Sequence, residues 1–177
     1  DTSAFRPLKV VVDTANGMGG LVVPAVFGTL PFDLEILYPE LDGTFPNHTA
    51  DPTHPANRRD LDREVRGRRA DIGLAFDGDA DRVFLVDERA EGVSGSEVTA
   101  LIAAAMLERH PGASVVYNLI CSWTVPEVIL EHGGRPIRTR VGHSFIKQVM
   151  AETGAVFGGE VSGHYYFRDF YCADSGT

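Results

Sequence analysis

Along this chain, short apolar runs alternate with amphipathic ones. "LKVVVD" (8–13) reads as a buried strand. The glycine-rich "TANGMGG" (14–20) turns into an apolar, helix-like stretch from Leu21 to Leu30. Pro24 is expected in the first turn of that helix, where a missing N–H costs little. "DLEILY" (33–38) is a second strand. A long loop rich in Pro, His and Asp follows, "PELDGTFPNHTADPTHPAN" (39–57). His48 and His54 have no metal-ligand partner at a recognisable spacing and read as loop residues. Arg58 to Arg69 has helical period, with Leu61 and Val65 on one face. "DIGLAF" (71–76) and "RVFLVD" (82–87) are strands.

The pattern then begins again. Ser94 and Glu97 fit a capping box, which predicts a helix from about Gly95 to His110 with Val98, Leu101, Ile102, Ala105 and Met106 as its apolar stripe. "ASVVYN" (113–118) is a strand. Thr124 and Glu127 suggest a second capping box, and Gly133 a helix stop. "RPIRTR" (135–140) is a strand and "SFIKQVMAET" (144–153) a helix ending at Gly154. "AVFGG" (155–159) and "HYYF" (164–167) are strands around a tight turn. The expected architecture is α/β: two consecutive three-layer α/β/α sandwich domains with mostly parallel mixed sheets, residues 1–92 and 93–177.

Composition narrows the class. Hydrophobic residues make up 44% and charged residues 23% of the 177 positions, which is globular rather than disordered. The formal charge of −9 argues against nonspecific nucleic-acid binding. No apolar run approaches a bilayer span, so no membrane partner is expected. Cys121 and Cys172 lack metal-type spacing and read as reduced thiols of a cytoplasmic protein. "DTSAFRPLKV" has neither initiator Met nor a signal-like core, and "CADSGT" has no closing element. The expectation is a piece of a longer polypeptide.

The most unusual stretch is "AFDGDADRVFL" (75–85). Asp77, Asp79 and Asp81 alternate with small residues, so their side chains can converge in an extended or looping segment. Two carboxylates about 4 Å apart repel by roughly 4 kcal/mol at an effective dielectric near 20. Three therefore need a cation or must splay into water. All-oxygen ligation suits Mg²⁺, and the plain alternative is a solvated turn. An EF-hand is excluded: Glu88 stands at the twelfth position of such a loop, but Arg82 stands where its glycine belongs, and the flanks are strands. A haloacid-dehalogenase-type phosphatase, with Asp77 as nucleophile, would want Thr or Val where Asp81 stands.

Two other stretches carry chemistry. In "GGEVSGH" (158–164), Glu160 can accept from vicinal hydroxyls, Ser162 can donate or accept, and His164 is directional. In "GHSFIK" (142–147), His143 precedes a helix start and Lys147 lies one turn on, a place that attracts phosphate. "TANGMGG" could cradle an anion, but its glycines suffice to turn a strand into a helix, and the structural role is favoured.

"KVVVDTANGMGG", "DGTFPNHTADP", "GLAFDGDADR", "RVGHSFIK" and "GGEVSGHYYF" occur in this order, and together they closely resemble the α-D-phosphohexomutases, the phosphomannomutase/phosphoglucomutase family. The resemblance spans essentially the whole chain and implies the second and third of four domains. It implies that Asp77, Asp79 and Asp81 bind Mg²⁺, with Arg82 beside a phosphoserine supplied by a missing first domain. It implies that Glu160, Ser162 and His164 recognise the hydroxyls of a hexose phosphate. Arg140, His143 and Lys147 would lie near the sugar phosphate and the acid/base chemistry. The activity implied is interconversion of hexose 1-phosphate and hexose 6-phosphate, on mannose or glucose.

Several positions depart from that pattern. Ala80 stands where Gly is commonest, Arg140 where Lys is common, and Trp123 where a basic residue is expected. No T-A-S-H-N-P-like serine loop occurs, nor an R-x-S-G-T-E phosphate loop of a fourth domain, so the piece alone is expected to be inactive. The competing readings are a complete phosphatase using Asp77 and a non-catalytic metal- or sugar-binding module.

Overall fold

The structure, a computed structural model, describes residues 5–177. The chain divides into two compact units: the first reaches Val93 and the second runs Ser94–Ser175.

The first unit is built on a five-stranded sheet of β1 (Leu8–Asp13), β2 (Phe32–Leu37), β3 (Ile72–Phe76), β4 (Val83–Val86) and β5 (Gly92–Val93), in the order β2-β1-β3-β4-β5. β1 pairs parallel with β2 and β3, β4 is antiparallel to β3, and β5 is antiparallel to β4. Four of the five strands thus run one way. Central β1 is covered on both faces, which is why Val10, Val11 and Val12 are buried in succession rather than alternately.

The helices are α1 (Gly19–Phe27) and α2 (Arg59–Arg68), the latter entered through a 3₁₀ turn, Pro55–Arg58. The helical stretch predicted from Arg58 to Arg69 is therefore tighter at its start. α2 packs Leu61 and Val65 against Val11, Ala75 and Val86, the face its period predicts. A Cβ on Gly73 would lie 2.8 Å from Val65 Cγ2, so the helix rests on β3 where the strand has no side chain. α1 begins two residues earlier than its pattern predicts. Pro24 consequently falls in the helix interior rather than the first turn, and the helix runs with one backbone bond fewer.

The second unit repeats the plan. β6 (Ser114–Asn118), β7 (Arg135–Thr139), β8 (Phe157–Gly159), β9 (Tyr165–Phe167) and β10 (Ala173–Asp174) lie in the order β10-β9-β8-β6-β7. Numbered within the unit and read from the other edge, this is the strand order of the first. β6 is parallel to β7 and β8, and β9 is antiparallel to β8 and β10. Its helices are α3 (Gly95–Arg109), α4 (Thr124–Glu131) and α5 (His143–Thr153).

The capping box at α3 forms: Ser94 Oγ accepts from Glu97 N at 3.2 Å and Glu97 Oε2 accepts from Ser94 N at 2.8 Å. The one predicted at Thr124 does not. Trp123 already has helical dihedrals, φ −59° and ψ −22°, so Thr124 enters the helix itself, and its N–H donates to Ser122 Oγ. Gly133 (φ +72°) follows α4, and Gly154 (φ +66°) ends α5 in left-handed conformation as predicted.

The buried face of α3 differs from the predicted stripe. Val98, Thr99, Ala100, Ala103 and Leu107 are buried, whereas Leu101 is 63% exposed and Ala105 is exposed. Alanines and leucines lie on all sides of this helix, so period alone does not choose its face. Glycines in the sheet and at its edge choose it: a Cβ on Gly159 would sit 2.5 Å from Thr99 Cγ2, and one on Gly134, just before β7, 2.6 Å from Leu107 Cδ1. Among the described residues no helix is long and apolar enough to cross a membrane. Cys121 and Cys172 are free thiols.

The reassigned face has a direct test by denaturant unfolding. Leu107→Ala is expected to cost about 2–5 kcal/mol, and Leu101→Ala less than about 0.5 kcal/mol.

Candidate functional site

In an α/β sheet, loops at the carboxyl ends of parallel strands collect function, above all where strand order reverses. Both units place their chemistry there. In the first, the reversal lies between β1 and β3, and the two loops leaving them are 14–18 and 77–82.

The aspartate loop joins β3 to antiparallel β4, whose last pair is Phe76–Val83. Asp77 N donates to Arg82 O at 3.4 Å, and Ala80 N to Asp77 O at 3.3 Å. This tight path needs a left-handed residue, and Ala80 takes φ +62°, where glycine would carry no Cβ penalty. Asp77 is 3% exposed. Its Oδ2 accepts from Arg82 Nε at 2.7 Å and its Oδ1 from Arg82 N at 3.2 Å. Arg82 Nε also lies 3.9 Å from Asp81. Burial works against the Arg82 charge, but the bond to Asp77 and the charges of Asp77, Asp51 and Asp81 outweigh it and raise the guanidinium's pKa.

One carboxylate oxygen from each of Asp77, Asp79 and Asp81 can be chosen so that all three lie within 4.8 Å of one another. Three aspartates and one arginine leave the loop a formal charge of −2. The donor set is all oxygen, anionic and preassembled, so it fits a hard divalent cation in both charge and ligand type. The solvated-turn alternative would have these side chains diverge, and they do not. Each oxygen of Asp77 accepts one bond from Arg82 and keeps a second lone pair that can meet a cation.

The loop is backed by "TANGMGG". Met18 N donates to Gly78 O at 2.9 Å, and a Cβ on Gly17 would fall 2.6 Å from that same oxygen. Asn16 N donates to Tyr38 O and Gly17 N to Thr14 O. These N–H groups hold backbone carbonyls, consistent with the structural role rather than an anion cradle.

His48 is not simply a loop residue. Its Nε2 lies 2.9 Å from Asp13 Oδ2 in a pair whose side chains are only 14% and 2% exposed. His54, 74% exposed, stays in solvent near Asp51. Tyr38 packs edge-on to His48, with ring centroids 5.5 Å apart, and its hydroxyl donates to Asp60 at 2.7 Å. Burial, then the bond to Asp60, push the Tyr38 phenol up to about 12. A strand ending in aspartate (Asp13) and a His-bearing loop after the next strand were the sequence signals for this cluster.

In the second unit the reversal lies between β6 and β8, and Asn118 and Glu160 meet across it. Glu160 is 2% exposed. Its Oε1 accepts from Asn118 Nδ2 and Gly142 N, both at 3.1 Å, and its Oε2 from Tyr166 Oη at 2.7 Å. The carboxylate thus pins the loop before α5 to the end of the sheet. The sequence reading offers it to sugar hydroxyls; here its lone pairs hold protein donors.

Gly163 (φ +87°) closes the turn, with Gly163 N donating to Glu160 O at 3.1 Å. Ser162 Oγ and His164 Nδ1 are 2.8 Å apart, and the His164 ring stacks near Tyr166. Lys147 Nζ pairs with Asp174 at 2.9 Å over the Tyr166 ring. Burial works against the Asp174 charge, but its bond to Lys147 prevails and lowers its pKa. His143 is exposed as the first residue of α5, and exposed Arg140 lies over the Phe145 ring at 4.0 Å. Trp123 is 75% exposed beside the start of α4. Asn118, Tyr166 and Asp174 were not singled out by sequence, because each lies on a strand or strand end and reads as fold.

Comparison with known proteins agrees with this layout. Residues 1–92 match the profile of phosphoglucomutase/phosphomannomutase alpha/beta/alpha domain II, and residues 94–177 that of domain III. Phosphohexose mutases of Xanthomonas campestris pv. campestris are 41% identical over 176 residues, covering 99% of this chain and 39% of theirs. The phosphomannomutase/phosphoglucomutase of Pseudomonas aeruginosa is 41% identical over 169 residues, covering 96% and 36%. A crystal structure of a phosphoglucomutase/phosphomannomutase family protein from Burkholderia thailandensis superposes with TM-score 0.95 at 39% identity, over 99% of this chain and 39% of that one. The Paramecium parafusin structure shares the fold, with TM-score 0.82 at 21% identity. The chain spans about two fifths of the length of the relatives it matches.

Removing one donor from Glu160 tests the pinning role. Tyr166→Phe leaves Oε2 without that bond and is expected to lower unfolding free energy by about 1–3 kcal/mol, read by urea denaturation.

Proposed function

The chain belongs to the phosphoglucomutase/phosphomannomutase family, and from that premise we propose that its parent protein interconverts hexose 1-phosphate and hexose 6-phosphate. The observation that carries this reading is the gathering of Asp77, Asp79 and Asp81 at the carboxyl end of β3, in a chain matched from end to end by two consecutive domains of that family.

A phosphoserine outside these 177 residues donates its phosphoryl group to the sugar. The bisphosphorylated sugar turns over, and the serine recovers a phosphoryl group from the other end. The O–P bond to serine breaks as the O–P bond to sugar forms, so charge develops on phosphoryl oxygens near the aspartate loop. Asp77, Asp79 and Asp81 hold Mg²⁺, which when bound supplies positive charge against those oxygens. Arg82 keeps Asp77 aimed, and offers its remaining N–H groups to phosphate.

Ser162 and His164 read sugar hydroxyls on the 160–164 turn. Glu160 joins them by exchanging its Tyr166 donor for a sugar hydroxyl. Arg140 and Lys147 take the sugar phosphate beside the N-terminus of α5, where free N–H groups favour an anion. His143, exposed at that terminus, handles the hydroxyl proton. The substrate is a mannose or glucose phosphate, the partners are the serine-bearing and fourth domains of the same polypeptide, and the two free thiols fit a cytoplasmic location.

The test uses the full-length parent polypeptide with glucose 1-phosphate and mannose 1-phosphate. Hexose 6-phosphate is expected to form, and Asp79→Asn to reduce kcat/KM by about a hundredfold or more. The 177-residue chain by itself is expected to bind Mg²⁺ weakly and to turn over neither sugar; turnover by it would overturn the assignment of the nucleophile to another segment.

A further inference from the structure

The Asp13–His48 pair lies outside the residues given a role above. The His48 ring has two nitrogens, and each faces an acceptor that cannot donate. Nδ1 lies 3.0 Å from the carbonyl oxygen of Thr49, and Nε2 lies 2.9 and 3.2 Å from the two oxygens of Asp13. Meeting both at once takes two N–H groups, which only the protonated ring carries. Asp13 is 1% exposed, and its Oδ1 also accepts from Ala15 N at 2.9 Å. Removing one member of such a pair strands a buried charge.

The pair sits at one end of a continuous set of contacts. Beside His48, Asn47 Nδ2 donates to Asn16 Oδ1 at 2.8 Å, and Asn16 Nδ2 donates to Glu40 O at 2.9 Å. Asp42 N donates to Asn16 O, also at 2.9 Å. The 38–54 loop is thereby fastened to the 13–18 turn. That turn holds Gly78 O through Met18 N, while Phe45 and Ala50 of the fastened loop close on Gly78 from another side. Gly78 lies between Asp77 and Asp79. We propose that His48, clamped by Asp13, is a positioning residue that fastens the 38–54 loop against the aspartate loop and so sets how well Asp77, Asp79 and Asp81 are arranged for a divalent cation. The cation half of this inference rests on the function proposed above; the fastening half does not.

The groups facing His48 are Asp13 at the end of β1, Tyr38 after β2, and Asp60 on α2, the last paired with Arg63. The bond to Asp13 raises the pKa of His48 above its usual 6.5, burial opposes it, and Thr49, Asp13 and Asp60 add to the rise. A raised histidine pKa means that the clamp contributes fully below pH 6.5 and is lost as pH rises through the folded-state value.

The experiment measures Mg²⁺ binding by calorimetry, and amide-exchange protection factors over residues 13–18 and 77–82, at about pH 6.5 and about pH 8.5. It uses this chain and its His48→Gln variant, with Asp79→Asn as the metal-site control. In the unsubstituted chain, Mg²⁺ affinity and protection at 77–82 are expected to fall with pH. In His48→Gln, affinity is expected to be about tenfold weaker and flat with pH. The His48 ring resonance should titrate above 6.5 in the unsubstituted chain and fall in Asp13→Asn. Affinity and protection that ignore both pH and His48→Gln overturn the proposal and leave the metal assignment standing. If the unsubstituted chain binds no Mg²⁺, the metal assignment falls instead. Protection at 77–82 then decides alone: loss in His48→Gln or at high pH supports the fastening, and no change overturns it. The pH series on the unsubstituted chain decides even if the variant does not fold.

Discussion

Three carboxylates share a small volume in this protein because the backbone holds their loop there against their repulsion. The restraint is short range: Met18 N on Gly78 O at 2.9 Å, Gly17 too close to Gly78 for any side chain, and Arg82 closing on Asp77. A repulsion of roughly 4 kcal/mol per close pair at moderate dielectric exceeds any one of those bonds, worth about 1 kcal/mol where neutral and about 1.5–3 kcal/mol between charged groups. The aspartates hold their places only because several bonds act together across the β1–β3 reversal. The wider fold serves to bring two loops, distant in sequence, within one hydrogen bond of each other.

The second unit solves a related problem with the same strand order. At its own reversal a buried carboxylate, Glu160, draws donors from Asn118, Gly142 and Tyr166. In the first unit the loop gathers negative charge and backbone restrains it. In the second, one negative charge is the restraint, and it organises the segments that carry Arg140, His143, Ser162 and His164.

Much of this was legible in the sequence. The alternation of runs located all but the shortest strands. Ser94–Glu97 announced a capping box, and the doubled aspartate spacing announced a cluster. What stayed hidden depended on partners far along the chain. The face of α3 is chosen by Gly159 in the sheet and Gly134 just before it, not by the helix's own pattern. Thr124 was passed over as a cap because Trp123 had already turned helical. His48 looked like one of two loop histidines, and only the return of the loop onto Asp13, 35 positions away, distinguishes it from exposed His54. Glu160 looked open because nothing local says that a tyrosine on β9 and an asparagine on β6 converge on it.

The placement of aromatic rings has an optical consequence. Of the five tyrosines and one tryptophan, Tyr38 alone belongs to the first unit, and its ring stands edge-on to His48 with its hydroxyl on Asp60. Tyrosine absorbance of that unit therefore comes from a single ring, seated against His48. Trp123, 75% exposed in the other unit, supplies a separate fluorescent signal at longer wavelength. Trp123 is thereby the one native reporter whose emission stands apart from the tyrosines of both units.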